Sequence, residues 1–191
     1  MHLIDGCQLL DLPPSYKYER NFGSSRDVKH IRDGASFKRL SDALNLTKVP
    51  AVAKLKLIDW ALFNLLIGNS DAHGKNISFY VDKFGLEIAP FYDILSTIVI
   101  ENIENDLAMA FGDEFSILNV KYYDLECFAD DLNVPFNLIK NRLKALIKSI
   151  KENIDKINFD IDLTKDNYEF INYLKDTILQ RVKEFEEILT I

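Results

Sequence analysis

Between Ala51 and Ile67 the apolar residues Leu55, Ile58, Leu62, Leu65 and Leu66 return at helical spacing, which predicts a mostly buried helix. It ends at Gly68-Asn69, because glycine accepts the left-handed conformation that closes helices. Polar residues follow to Asn76, and then the period shortens. Ile77 to Val81 and Leu86 to Ala89 are short apolar runs around Asp82-Lys83-Phe84-Gly85, which predicts a β-hairpin with Gly85 in the left-handed region and Pro90 stopping its second strand. The helical period resumes over Tyr122 to Leu132 and over Pro135 to Ile157. In the second of these Phe136, Ile139, Leu143, Leu146, Ile150, Ile154 and Ile157 alternate steps of three and four, with Pro135 in the first turn. A last helix is expected from Asp166, where Asp166 and Glu169 have capping-box spacing, with Ile171, Leu174, Ile178, Val182 and Phe185 on its buried side. Residues 1–50 are the least regular, with turn formers at Pro13-Pro14, Gly23-Ser24-Ser25 and Gly34 and a short helix from Ser36 to Leu44.

The 191 residues suffice for one core or one lobe of a larger enzyme. With 48% hydrophobic and 28% charged residues but only 7 Gly and 5 Pro, the whole chain is expected to fold. A formal charge of -7 repels a phosphate backbone, so no direct nucleic-acid contact is expected. Cys7 and Cys127 lie far apart without metal-type spacing and read as free thiols. The densest apolar stretch, Trp60 to Ile67, is short and broken by Asn64, and Met1 to Leu10 has no basic stretch before an apolar run. A cytoplasmic protein without a membrane partner is expected.

The polar loop carries the chemistry. It reads Gly68-Asn69-Ser70-Asp71-Ala72-His73-Gly74-Lys75-Asn76, and Ala89-Pro90-Phe91-Tyr92-Asp93-Ile94-Leu95-Ser96-Thr97 follows the hairpin. Phosphoryl transfer needs a carboxylate that orients the attacking hydroxyl and takes its proton, and oxygen ligands for the magnesium that neutralises the phosphates. A kinase catalytic loop places an asparagine five residues after its base, then runs through a hairpin to a metal-binding aspartate. Asp71, Asn76 and Asp93 repeat that order. An Asp and an Asn five apart are common alone; a buried helix before them and a hairpin leading to an acid after them are not. His73 and Lys75 are candidate phosphate or substrate contacts, against a histidine bonded to a backbone carbonyl and an exposed lysine. Ser96 and Thr97 read as a cap or turn, and Trp60 and Phe63 as core aromatics.

Leu65 to Asn76 and Ala89 to Thr97 resemble the signature segments of the HipA family of kinase toxins. Asp5 to Glu19 resembles the stretch after that family's hinge, and Leu107-Ala108-Met109-Ala110-Phe111-Gly112 a later one. The resemblance implies a mainly α helical kinase C-lobe with one small β-hairpin next to the catalytic loop: residues 1–50 following the hinge, 51–97 holding the catalytic parts and 98–191 a helical subdomain. It implies Asp71 as the base, Asn76 and Asp93 as Mg2+ ligands, and ATP as the phosphate donor. It also implies a toxin-antitoxin setting, with a helix-turn-helix antitoxin as partner and a serine of a translation component, such as an aminoacyl-tRNA synthetase, as target. The pattern Asp-x-His-x-x-Asn is also similar to that of phosphoinositide kinases, which leaves a lipid substrate open.

The sequence departs from a complete kinase in one respect. No Gly-x-Gly occurs, and Ala51-Val52-Ala53-Lys54 imitates the strand-lysine motif only 17 residues before Asp71, too close for the intervening elements. The expectation is that the amino-terminal ATP-covering lobe is absent here and supplied from elsewhere, in trans. The alternatives are a non-catalytic remnant or scaffold that binds an antitoxin or kinase, and a helix-turn-helix DNA-binding module over Phe128 to Leu143, with Lys140, Asn141, Arg142 and Lys144 on its second helix.

Overall fold

The computed structural model describes residues 2–157 and 164–190. In chain order the elements are strand β1 (His2–Asp5), helices α1 (Gly6–Leu9), α2 (Phe37–Ala43) and α3 (Pro50–Ile67), and strands β2 (Ser78–Asp82) and β3 (Gly85–Ile88). Strands β4 (Asp106–Phe111) and β5 (Glu114–Ser116) and helices α4 (Tyr122–Asp131), α5 (Phe136–Asn153) and α6 (Lys165–Ile188) complete it. The mainly helical class expected from the periodicity holds.

Helix α3 is the centre of the core. Leu57, Ile58, Trp60, Leu62, Leu65 and Leu66 are all buried, and Pro50 occupies the first turn, where its missing N–H costs nothing. Helix α5 packs along α3 and buries Ile139, Leu143 and Ile147. Arg142 faces α3 as well: its Nε donates to Asp59 Oδ1 at 2.6 Å and its Nη2 to Asp59 Oδ2. The residue on which a DNA-reading helix would most depend is thus committed to an internal pair. Helix α5 stops at Asn153, and Ile157, expected on its apolar side, is exposed.

Helix α6 begins two residues before its expected signal. Thr164, not Asp166, is the cap: its side chain accepts from the Asn167 N–H, and Asn167 returns the bond to the Thr164 N–H at 3.1 Å. Asp166 instead sits in the first turn, where its charge suits the helix dipole. Further along, the Arg181 guanidinium is buried and closes on the end of α3, with Nη2 donating to Leu65 O at 2.7 Å and to Ile117 O at 3.2 Å. Burial lowers its pKa to about 10.

Two strand features go beyond the expected hairpin. The predicted pair β2 and β3 is present, with Phe79 opposite Ile88, but β1 adds to its other edge, with Ile4 opposite Phe79. The opening segment therefore starts as a strand, although four residues are too few to carry an alternation. A second hairpin, β4 and β5, lies where only helices were expected downstream. Leu107 to Phe111 are buried one after another, so no period of two is visible, and Ala108, Met109 and Ala110 favour helix by propensity.

Strand β4 anchors the irregular segment before α2. The Glu19 N–H donates to Ala108 O at 2.9 Å, and the Glu19 carboxylate accepts from the Ala110 N–H at 2.8 Å and from Arg32 Nε at 2.6 Å. Burial raises the Glu19 pKa and outweighs the pull of these two donors. Among the described residues no helix is long and apolar enough to cross a membrane.

Candidate functional site

The loop after α3 is held along its length by hydrogen bonds to the helix end, Thr97, β4 and Lys17. Gly68 leaves the helix with φ 77°, a left-handed conformation that glycine adopts without strain. Asn69 is buried, donates to Asn64 Oδ1 at 2.8 Å and accepts from the Asp71 N–H at 3.1 Å. Thr97 reaches back from beyond the hairpin: its Oγ1 accepts from the Ser70 N–H at 2.8 Å and donates to Gly68 O at 3.1 Å. Thr97 thus clamps the loop that precedes the hairpin, where the sequence suggested only a cap or turn. Ala108 of β4 donates to Ser70 O at 2.8 Å, and Gly74 donates to Lys17 O at 3.0 Å. A Cβ on Gly74 would press into Ala35, so only glycine fits there. Trp60 is buried and packs edge-on to Phe37, as a core aromatic should, whereas Phe63 is only half-buried and lies outside the core cluster.

On this frame Asn76 and Asp93 meet. Asn76 is buried; its Oδ1 accepts from the His73 N–H at 3.2 Å and its Nδ2 donates to Asp93 Oδ2. Asp93 stands at φ 55°, a region aspartate enters at modest cost, and that turn directs it to the loop. Asp71 is exposed at the other end of the same loop, with Tyr18 donating to its Oδ1 at 2.8 Å. Among the described residues no hydrogen bond reaches its second oxygen, which is free to accept a proton. Both Asp71 and Asp93 act electrostatically on His73 between them.

Could this set hold a metal? Among the described residues no group of three or more His, Cys, Asp or Glu is arranged to do so. Magnesium, however, is commonly held by one or two protein oxygens, with phosphates and water supplying the rest. The Asp93 carboxylate and the Asn76 amide are of that number and kind. Asn76 would have to present its Oδ1, in place of its NH2, to the side that Asp93 faces.

Lys75 does not point to this site. It pairs with Asp5 at 2.6 Å, which raises its pKa and leaves it as a strut between the loop and β1. His73 is buried, and its Nε2 lies 3.0 Å from Lys17 Nζ. The lysine is the donor, so the ring proton belongs on Nδ1, which is buried and has no partner among the described residues. Among the described residues neither ring nitrogen makes a well-formed hydrogen bond to a backbone carbonyl, the ordinary alternative, although His73's own backbone lies close enough to pull its pKa up. Burial first, and then the Lys17 charge, lower the His73 pKa, against the opposing pull of Asp71 and Asp93.

The sign follows from that depression. The folded chain holds His73 neutral, so its contribution to stability is present above the unfolded value of 6.5 and is lost as pH falls below it, through the lower folded pKa. His73→Gln is expected to flatten the acid-side fall in thermal midpoint, compared between about pH 7.5 and about pH 5.5. Equal falls in both proteins would show that His73 does not titrate in the fold.

Lys17 and Tyr18 carry no signal of their own in the sequence. Tyr18 stands 53 positions from the aspartate it touches, and its ring meets His73 edge-on at 5.3 Å between centroids. Burial and the Asp71 hydrogen bond push its pKa up to about 12, so the phenol remains a donor at neutral pH. Lys54, in the imitation strand-lysine motif, lies in α3 and donates to Leu132 O at 2.8 Å, far from any strand role.

Comparison with known proteins gives the family of the fold. The family profile described as HipA-like C-terminal domain matches residues 1–157. The serine/threonine-protein kinase toxin HipA of Shewanella oneidensis is 41% identical over 185 residues, which is 96% of this chain and 43% of that protein. The solved structure of Shewanella oneidensis MR-1 HipA with HipB and operator DNA matches with a TM-score of 0.91 at 40% identity, over 99% of this chain and 45% of that one. The presence of DNA in that complex is in tension with the expectation of no direct nucleic-acid contact. The chain spans less than half the length of these relatives. On its sequence and its fold alike, it belongs to the family of HipA-like C-terminal domains.

Proposed function

We propose that this chain is the catalytic lobe of a protein serine/threonine kinase that transfers the γ-phosphate of ATP to a serine hydroxyl. The observation that carries the reading is the pairing of Asn76 with Asp93 beside a loop that also presents Asp71 with one free carboxylate oxygen. Asp71 takes the proton of the attacking hydroxyl as the serine oxygen bonds to the γ-phosphorus and the bond to the departing ADP breaks. Asn76 and Asp93 hold magnesium, which neutralises charge on the phosphates when bound. Tyr18 fixes the rotamer of Asp71 from the side. A buried neutral His73 keeps the loop's shape, with the Lys17 ammonium beside it.

The nucleotide needs a cover that these residues do not provide, since Lys54 is internal and no glycine-rich loop is present. An amino-terminal lobe, in cis or in trans, completes the reading. The neighbour solved with HipB supports an antitoxin as a partner, and a translation component such as an aminoacyl-tRNA synthetase is the proposed target, in the cytoplasm. Without such a lobe the chain is expected to bind ATP-magnesium weakly at best.

The test compares metal dependence. Asp93→Asn removes a charged oxygen ligand and is expected to weaken magnesium-dependent ATP binding and turnover together, by about tenfold or more. Asn76→Ala acts in the same direction, more mildly. Both are read as ATP affinity over a magnesium series with the amino-terminal lobe present. An unchanged magnesium dependence in Asp93→Asn removes Asp93 from the metal site.

A further inference from the structure

Among the described residues the buried carboxylate, Glu19, has an ion-pair partner in Arg32; the buried guanidinium, Arg181, has none. Nε and Nη2 of Arg181 both donate to Leu65 O, at 3.2 and 2.7 Å, and Nη2 also donates to Ile117 O at 3.2 Å. Leu65 O belongs to the last turn of α3, the negative end of the helix dipole, so capping explains these two nitrogens. It does not explain Nη1. Among the described residues Nη1 makes no hydrogen bond, yet it is not one of the fully enclosed polar atoms, so it keeps an opening. The nearest acid along the helix, Glu184, does not close it: Glu184 is exposed, and its Oε1 accepts from Gln180 Nε2 at 3.0 Å.

The opening is onto a cavity of about 620 Å³, which Arg181 lines between the end of α6 and the segment joining β5 to α4. Val120 and Phe185 are the buried part of its apolar wall, and exposed Leu118 and half-buried Ile188 continue that wall to solvent. A buried guanidinium with no counter-charge calls for an acceptor, and an anion serves it best. The other charges limit which anion. Lys121 and Arg181 balance Glu184 and Glu187 around the cavity, so one negative charge is tolerated, whereas a phosphate dianion is opposed by both glutamates. Among the described residues none of the enclosed polar atoms that lack partners borders the cavity, so nothing fixed there matches the alternating donors and acceptors of a peptide backbone. We infer that this cavity binds a small aliphatic carboxylate, with its oxygens on Arg181 Nη1 and its chain along Leu118, Val120, Phe185 and Ile188. Asp71, Asn76 and Asp93 do not border it, and the inference does not depend on their roles. Arg181 itself links the two places, because it holds Leu65 O just before the loop that follows α3.

Calorimetric titration of the 191-residue chain with sodium octanoate, kept below its micelle concentration, tests the site without any nucleotide. Saturable binding is expected, with a dissociation constant below about 1 mM. Octan-1-ol keeps the chain without the charge and acetate keeps the charge without the chain, and each is expected to bind about tenfold or more weakly than octanoate. Inorganic phosphate is expected not to compete. Leu118→Asp, at a position 60% exposed, places a carboxylate at the mouth and is expected to weaken octanoate binding about tenfold. Arg181→Met removes the charge at similar length and is expected to erase the preference for octanoate over octan-1-ol. Because Arg181 also caps α3, Leu118→Asp carries the test alone if circular dichroism shows that Arg181→Met fails to fold. No saturation up to about 10 mM octanoate, equal binding of octan-1-ol, displacement by phosphate, or unchanged affinity in folded Leu118→Asp would each overturn the proposal.

Discussion

Asp71→Asn is expected to abolish phosphoryl transfer while leaving the fold and nucleotide binding close to unchanged. Asparagine keeps the shape and can still accept from Tyr18, but it cannot take the hydroxyl proton or hold the hydroxyl through a negative charge. The loss should fall on the chemical step, by about 10²–10⁴-fold, with little change in the ATP concentration for half-saturation. The measurement is transfer from labelled ATP to a serine substrate, made with the amino-terminal lobe present and alongside Asp93→Asn. The two variants separate by kind: one loses turnover at constant ATP affinity, the other loses both as magnesium is lowered. Near-normal turnover in Asp71→Asn would refute the assignment of the base, whatever the family.

Glu19→Ala is expected to cause the largest loss of stability. The Glu19 side chain is 4% exposed and joins three parts of the chain: its own irregular segment, Arg32, and the Ala110 N–H of β4. Alanine leaves that N–H buried without an acceptor and takes from Arg32 its most buried partner. Breaking a buried ion pair by removing one side costs about 3–5 kcal/mol. Arg32 is 33% exposed and keeps Asp113 and Gly112 O, so the lower end, about 3 kcal/mol, is the right scale. In a chain of this size that lowers the thermal midpoint by roughly 6–12 °C. A drop of no more than a degree or two would mean that burial of the carboxylate cancels what its partners supply. The raised Glu19 pKa shows how close that balance is. Since this pKa is raised, the carboxyl's favourable contribution is complete below the ordinary value of 4.5 and is lost as pH rises through the folded value. The difference between wild type and Glu19→Ala should accordingly be larger under acid conditions than at neutral pH.

The parts of the fold visible in the sequence are those whose signal is local. Leu55 to Leu66 repeat at the helix period, and Gly68 stops that helix where a left-handed residue is needed, so α3 and the start of the loop could be read directly. Gly85 marks the β2–β3 turn for the same reason, with φ 123°. The spacing of Asp71, Asn76 and Asp93 placed a candidate site at this loop, and the fold brings Asn76 and Asp93 into contact there.

What the sequence by itself determined was therefore the helical class, the first hairpin, and the three residues around which the candidate site is built. Tertiary structure decided the rest, because those features depend on partners remote in the chain. His2 to Asp5 become a strand only because β2 offers an open edge, and Leu107 to Phe111 become one despite their helix-favouring residues because both faces are buried. Lys75 looks like a phosphate ligand until Asp5, 70 residues away, takes its charge. Tyr18 and Lys17 acquire their places beside Asp71 and His73 through contacts that span 53 and 56 residues. Periodicity reports which face of an element is buried; it does not report which remote side chain will meet it, since that is set by how the elements pack and where each buried donor finds its acceptor.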